Sequence, residues 1–284
     1  MNDLKRLRPL VDLDSFIYGA GFSADVAVEK ELMEVLGCDR EKARELAREQ
    51  EDYLPHALGN LKQQIQSSLR PFNDNDYRIY LTGTGNYREA LATIAPYKGN
   101  RDSAHKPKYY KELRDYAVRS WGAEVIDGME ADDAVSMEQW KHRDRSTVII
   151  TIDKDLDNTP GHHFNPRKEE FYYITGPEAD LNFWMQVATG DTTDNIKGLK
   201  GVGPKTVLKE WDKHRNLERF KDWVRRGYDK QYKAEGEHAL WENASLVWMM
   251  RELWINWDGS SLKGGGHGTE EGDKESASQE DGQE

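Results

Sequence analysis

The stretch STVIITID, residues 146–153, constrains this chain more than any other. A nearly unbroken run of β-branched residues offers no polar face to water, so it reads as a strand buried on both sides. Strands of that kind belong to parallel sheets covered by helices above and below. The run also ends in an acid, Asp153. Chemistry in open parallel sheets collects beyond the carboxyl ends of the strands, so this acid stands where a site is expected.

Other segments follow the same plan. LRPLVDLDSF supplies a first strand leading into Asp12, YRIYLT (77–82) a second, and AEVI (123–126) and FYYIT (171–175) two more. Residues 39–69 are charged and helix-friendly, with Asp39 placed to cap the start, and 109–120 has helical character. Strands alternating with helices predict an α/β fold, a mostly parallel sheet with helices on both faces, over residues 1–177. A helical region is expected over 178–257. Within it Leu240, Trp241, Ala244, Val247, Trp248 and Met250 recur near helical spacing, as a core-facing helix would require. A tryptophan surface for stacking bases is the lesser reading. After Trp257 the chain turns to Gly, Ser and acids with no apolar face, which predicts a disordered acidic tail over 258–284.

Composition sets few limits. The single cysteine, Cys38, excludes an intramolecular disulfide, fits a reducing cytoplasm and is expected to be a buried, unreactive thiol. No apolar run approaches a membrane span, and the opening MNDLKRLRPLVDLDSF lacks the apolar segment of a signal peptide. The net charge of −12 would argue against nucleic acid if it were spread evenly. Half of it lies in 258–284, where eight acids face two lysines, and several of the other acids crowd into short motifs. Such concentration leaves room for local basic patches.

Four places carry closely spaced acids beside strand or turn signals. Asp12 ends the first strand, with Asp14 two residues on; Glu130, Asp132 and Asp133 lie in MEADDAV. Asp153 and Asp155 follow the strongest strand, and Asp191 and Asp194 lie in ATGDTTDNI, sharing a face if a helix begins there. Any one of these acids alone would be read as a cap or a solvated turn. If they converge, two like charges ~4 Å apart repel by about 4 kcal/mol at an effective dielectric of 20. Divalent cations relieve that repulsion, and all-oxygen donors select Mg²⁺ or Mn²⁺ over zinc. Two such ions ~3.5–4 Å apart suit phosphoryl displacement.

KGLKGVGPKTVLKEW (197–211) is the second strong signal. Gly198, Gly201 and Gly203 allow a tight turn, and Pro204 suits the first position of a helix whose free N–H groups face a phosphate. Lys197, Lys200 and Lys205 add charge, and the unit would read backbone shape over base sequence. Upstream, Tyr97, Lys98 and Arg101 in PYKGNRDSAHKPK combine an aromatic with two cations. Stacking on a base and contact with phosphates are the expected roles.

Together these motifs resemble the 5′ nuclease superfamily, within it the tailed-phage 5′–3′ exonucleases and flap endonucleases. The resemblance runs in order over roughly residues 8–257: VDLDS, YKGNR, EADD, TIDKDLD and GDTTDNIKGLKGVGPKT. It implies a PIN-like core with a helix–hairpin–helix, and structure-dependent hydrolysis of DNA with a free 5′ end in a duplex, flap, nick or gap. It implies that Asp12, Glu130, Asp132, Asp133, Asp153, Asp155, Asp191 and Asp194 hold two Mg²⁺ ions, with Mn²⁺ able to substitute. Lys98 and Arg101 would act on the scissile phosphate, Tyr97 as a stacking platform, and Lys197, Lys200, Gly201, Gly203 and Lys205 on downstream duplex. K⁺ at the hairpin, a monomer and a host-cytoplasm location complete the expectation.

Two departures stand out. In YLTGTGNYR, Gly83 occupies the place of a further metal-binding Asp, so restoring a carboxylate there is expected to lower the Mg²⁺ requirement. Only 28 residues separate Arg101 from Glu130, which favours an open slot over a closed arch. Two rival functions fit parts of the pattern: a DNA-structure binder with weakened chemistry, suggested by Gly83, and a haloacid-dehalogenase-type phosphatase, suggested by Asp12 and Asp14.

Overall fold

The structure is a computed structural model and describes residues 3–49, 52–100, 106–142 and 145–262. Six strands form one sheet: β1 (Arg8–Asp12), β2 (Arg78–Thr82), β3 (Glu124–Ile126), β4 (Thr147–Ile150), β5 (Gly161–Asn165) and β6 (Glu170–Ile174). Their order is β3-β2-β1-β4-β5-β6, with every pairing parallel except β5 with β6. Helices α1 (Asp14–Leu36), α2 (Arg40–Glu49) and α3 (Leu54–Leu69) connect β1 to β2. Next, α4 (Tyr87–Leu91) and α5 (Tyr110–Trp121) connect β2 to β3, and α6 (Ala131–Lys141) connects β3 to β4. The chain thus steps outward from β1 to β3, and α6 carries it back to β4 on the other side of β1. That reversal leaves a crevice beyond the carboxyl ends of β1 and β4, where Val11 is in register with Ile150.

Each strand's alternation feeds two cores. Val11, Val148 and Ile150 pack with α1, α3 and α5, while Leu10 and Ile149 pack with Ala131 and Val135 of α6. Burial on both faces is why STVIITID carries no polar alternation. Beyond β6 come α7 (Gly176–Thr189), a two-stranded hairpin of β7 (Gly190–Asp191) and β8 (Ile196–Lys197), α8 (Pro204–His214), α9 (Leu217–Tyr232) and α10 (Gly236–Val247). They enclose a core of their own around Phe183, Val187, Phe220, Val224, Tyr228 and Trp248. Trp248 is buried there, edge-on to Phe183 at 5.3 Å, consistent with a core-facing reading.

Several boundaries differ from expectation. α10 ends at Val247, and the extended chain beyond it turns back, so that Met249 packs beside α6 and Met250 beside Tyr87. Order also continues past Trp257. Trp241 donates to Asp258 at 3.0 Å, Ile255 bridges to Ser261, and Leu262 is buried with Tyr87, Met129 and Met250. One leucine in a polar stretch is enough to dock five residues that composition assigned to the tail; the remainder of 258–284 lies outside the described residues. Residues 39–69 form two helices; Asp39 does accept from the Lys42 N–H (2.9 Å) at the start of α2. Cys38 sits in the turn after α1, only partly buried. Among the described residues no helix is long and apolar enough to cross a membrane.

Candidate active site

Asp12 is the last residue of β1, and Thr151 immediately follows β4. The Thr151 hydroxyl donates to Asp12 (3.2 Å) and accepts from the Asp153 N–H (3.0 Å), tying the two strand ends together. Burial, then the charges of Asp14 and Asp153, push the Asp12 carboxyl up to about 7. Asp132, in the first turn of α6, is raised well above its ordinary value by burial and then by Asp12, Glu130 and Asp153. Asp153 starts a short 3₁₀ turn by accepting from the Asp155 N–H at 2.9 Å. Burial, followed by Asp153 and Asp191, raises Asp155 to about 8. Beneath the effect of burial these shifts carry mutual repulsion, in which Asp153 acts on Asp12 and Asp132 in one group and on Asp155, beside Asp191, in a second.

The second group rests on the hairpin. Asp191 and Asp194 do not open a helix; they flank the turn between β7 and β8, whose glycines let two backbones touch. A β-carbon on Gly198 would lie 2.3 Å from the Gly190 nitrogen, and Gly190 itself has φ +68°. Burial would raise Asp191, but the N–H groups of Thr193 (2.6 Å) and Asp194 (3.2 Å) outweigh it and hold the carboxyl low.

Lys98 lies over both groups, with its backbone N–H on the Asp194 carbonyl (2.9 Å). Its ammonium pairs closely with Glu130 and stands 3.7 Å from Asp194. Lys98 has φ +54°, a left-handed conformation uncommon for lysine and held by these contacts. Asn100 donates to the Thr192 carbonyl (2.7 Å) and Asn195 to that of Pro96 (2.9 Å), so the YKGN segment is zipped onto the hairpin. Arg101 lies outside the described residues.

Expected roles are revised at four positions. Tyr97 is 9% exposed and packs in the helical core, so its ring has no face for a base. Its hydroxyl instead lies 2.9 Å from Glu130 and 2.8 Å from Asp194. Asp133 is wholly buried; each of its oxygens takes one Arg88 arm (2.5 and 2.9 Å) and one backbone N–H, from Glu130 and Met250. With four donors in place, no lone pair faces a cation. Gly83 has no room for a carboxylate, since its β-carbon would sit 2.2 Å from Asp127 and 2.8 Å from the Ile126 carbonyl. Asp127 already caps the Thr84 N–H at 2.7 Å. Asp14 neither replaces the missing acid nor serves as an acid partner of Asp12. It accepts from Arg114 (2.9 Å) and from the Thr82 N–H (2.9 Å), which removes the basis of the phosphatase reading.

The glycine turn is laid open as expected. Gly201 has φ +76°, nothing lies within 4 Å of a β-carbon at Gly201 or Gly203, and Gly203 caps α8. Lys197, Lys200 and Lys205 are exposed around it. Arg88, which anchors Asp133, was missed: nothing in NYREAL marks an arginine as fully buried. Among the described residues no three acids, histidines or cysteines are closed into a ready cation cage.

No family model matches the chain. DNA polymerase I of Pseudomonas aeruginosa is 29% identical over 171 residues, 54% of this chain but 18% of that protein. A 5′-3′ exonuclease of Aquifex aeolicus is 25% identical over 181 residues, covering 58% of this chain and 60% of the relative. A 5′-3′ exonuclease of Mycoplasmopsis pulmonis is 31% identical over 106 residues, 34% of this chain and 36% of the relative. The chain is thus similar in sequence to 5′-3′ exonucleases. It spans under two thirds of the length of each of these relatives. The fold is similar to that of the bacteriophage T5 flap endonuclease, solved as a complex with DNA and metal ions. That likeness has TM-score 0.50 at 15% identity, over 84% of this chain and 88% of the other.

Proposed function

We propose that this protein is a structure-dependent 5′ nuclease that hydrolyses DNA phosphodiesters near a free 5′ end with the help of two Mg²⁺ ions. The observation that carries the reading is the gathering of Asp12, Glu130, Asp132, Asp153, Asp155, Asp191 and Asp194, from four separate motifs, at the crevice beside β1 and β4. Their donor set is all oxygen, which fits a hard cation. Burial first, and then the neighbouring acids, raises the Asp12, Asp132 and Asp155 carboxyls, an environment in which a bound divalent cation would favour their charged forms. Asp12, Asp132, Glu130 and Asp153 would hold one ion and Asp153, Asp155, Asp191 and Asp194 the other, directly or through water. Bound there, Mg²⁺ would acidify a water and neutralise charge on the phosphate.

The protein's own groups do the positioning. Lys98 is held over the acids, where its ammonium can leave Glu130 for a phosphate oxygen. The N–H groups at Gly201, Gly203 and the start of α8, with Lys205 beside them, would hold a duplex phosphate, and K⁺ would sit at the same open turn. Between 197 and 233, twelve lysines and arginines face five acids, so the helical region is basic although the chain is acidic.

The test uses 5′-labelled flap, nicked, gapped and blunt duplexes with Mg²⁺. Asp153→Ala should lose several orders of magnitude in turnover while binding DNA normally in Ca²⁺. Near-wild-type turnover in that variant would remove Asp153, and with it the shared position of the two groups. A wild-type protein that binds these duplexes without cutting them would favour the non-catalytic binder.

A further inference from the structure

Arg88 heads the largest wholly buried side chains among the described residues. A guanidinium at that depth has lost its water and needs full compensation. Asp133 supplies the charge, and the carbonyls of Leu246 (3.0 Å) and Trp248 (2.6 Å) take further N–H groups. The same guanidinium stands 3.6 Å from Glu130, beyond hydrogen-bonding distance but well within electrostatic reach. Glu130 therefore has a cation on either side, Arg88 from within the core and Lys98 from the crevice. Were both to press on it, Glu130 would be neutralised by the protein and have little attraction left for a metal.

We propose that Asp133 is a counterion that holds Arg88 away from Glu130, and so sets the divalent-cation affinity of the crevice without touching the cation. By engaging both arms of the fork, Asp133 fixes the guanidinium in its own plane, and its negative charge offsets the field that Arg88 casts on Glu130. The capping box adds a mechanical link, because Asp133 also accepts from the Glu130 N–H and so orients the residue that bears the ligand. Asp133 is thus a positioning residue that acts through Arg88 and Glu130. This rests on the reading that Glu130 helps to bind a divalent cation.

The experiment is calorimetric titration of DNA-free protein with Mn²⁺, with thermal unfolding recorded for each variant. The variants are Asp133→Asn, the neutral pair Arg88→Gln with Asp133→Asn, and Asp153→Ala as a reference for the metal site. Asp133→Asn should weaken Mn²⁺ binding by about 10- to 100-fold, the usual scale for a residue supporting a ligand. The neutral pair, having lost both charges, should recover to within a few-fold of wild type, since Arg88 then no longer presses on Glu130 and only Lys98 remains, as in wild type. A folded neutral pair that binds as weakly as Asp133→Asn, or an Asp133→Asn that binds as wild type, would overturn the proposal. If Asp133→Asn does not fold, the neutral pair decides alone: wild-type-like binding supports the counterion role and lost binding refutes it. Failure of the underlying reading looks different, because wild type itself would then take up no Mn²⁺, or Asp153→Ala would take it up unchanged.

Discussion

Replacing Tyr97 by Phe removes one oxygen atom and tests whether the crevice is built as described. The hydroxyl lies 2.9 Å from Glu130 and 2.8 Å from Asp194, so it bridges those two acids as a neutral hydrogen-bond donor. Burial, reinforced by Glu130, keeps it protonated far above neutral pH. A hydrogen bond to a charged acceptor contributes about 1.5–3 kcal/mol, and its loss leaves the carboxylates facing each other. Two carboxylates about 5 Å apart repel by about 3 kcal/mol at an effective dielectric of 20, a repulsion that Lys98 partly cushions. Taking about 1.5–3 kcal/mol as the net loss, and about 2–4 °C per kcal/mol for a domain of this size, the thermal midpoint should fall by about 3–12 °C in EDTA. The fall should shrink in Mg²⁺, where a cation takes over the work of the missing proton. Cleavage of a 5′-labelled flap, titrated with Mg²⁺, should show half-saturation raised by roughly 10- to 100-fold with near-normal turnover at saturation. Unchanged unfolding and unchanged Mg²⁺ dependence, together with weakened DNA binding in Ca²⁺, would refute this account and return Tyr97 to base stacking.

Three further outcomes are expected. Lys205→Ala should weaken DNA binding irrespective of base sequence and reduce the log–log salt slope by about 1, as for one lost phosphate contact; an unmoved slope would make Lys205 an ordinary surface lysine. Gly83→Asp should lower the thermal midpoint and leave the Mg²⁺ half-saturation no better, because Asp127 and the Ile126 carbonyl fill the space; adding Asp127→Ala should recover part of the midpoint, and a Gly83→Asp protein with normal stability and a lower Mg²⁺ requirement would contradict the packing. Asp12 and Asp155, raised to about 7 and about 8, keep more protons in the folded than in the unfolded chain between about pH 4 and 8. Metal-free stability should therefore decline as pH rises through that window, and Mg²⁺ should abolish the decline; a midpoint in EDTA that ignores pH from 6 to 8.5 would show that these carboxyls are not crowded.

How much of this was legible depended on how far apart the deciding residues lie. STVIITID announces a doubly buried strand within eight residues, and Asp12 and Asp153 mark strand ends for the same local reason. The reversal at β1 and β4 follows once the strands are placed. α1 was not legible: its inner side is lined with Ala20, Gly21 and Ala24, and Gly21 serves a close approach of Pro107 that no local pattern announces. β5 escaped because GHHFN is half polar and is paired on both sides by partners the sequence does not name. The site divides the same way. The acids could be gathered from their order, but whether an acid faces a cation or an arginine is decided by the other partner. For Asp133 that partner is Arg88, 45 residues earlier. For Tyr97 it is Asp194, 97 residues later. At Gly83 a resemblance predicted what a carboxylate would do, and the end of the neighbouring strand, with the Ile126 carbonyl and Asp127 just beyond it, shows why it would not fit.

The shell around Arg88 also sets an order of assembly. The carbonyls it needs come 158 and 160 residues later in the chain, and the N–H that completes Asp133 comes from Met250. A polypeptide leaves the ribosome from its N-terminus, and the sheet can form as it emerges. Every acid of the crevice has been synthesised by Asp194, yet the arginine behind Glu130 stays unclosed until Trp248 has cleared the exit tunnel. An interrupted translation product ending between these points carries the full set of acids without the brace behind them. Emergence of the segment through Met250, rather than possession of the acids, is then the event that completes the brace behind Glu130.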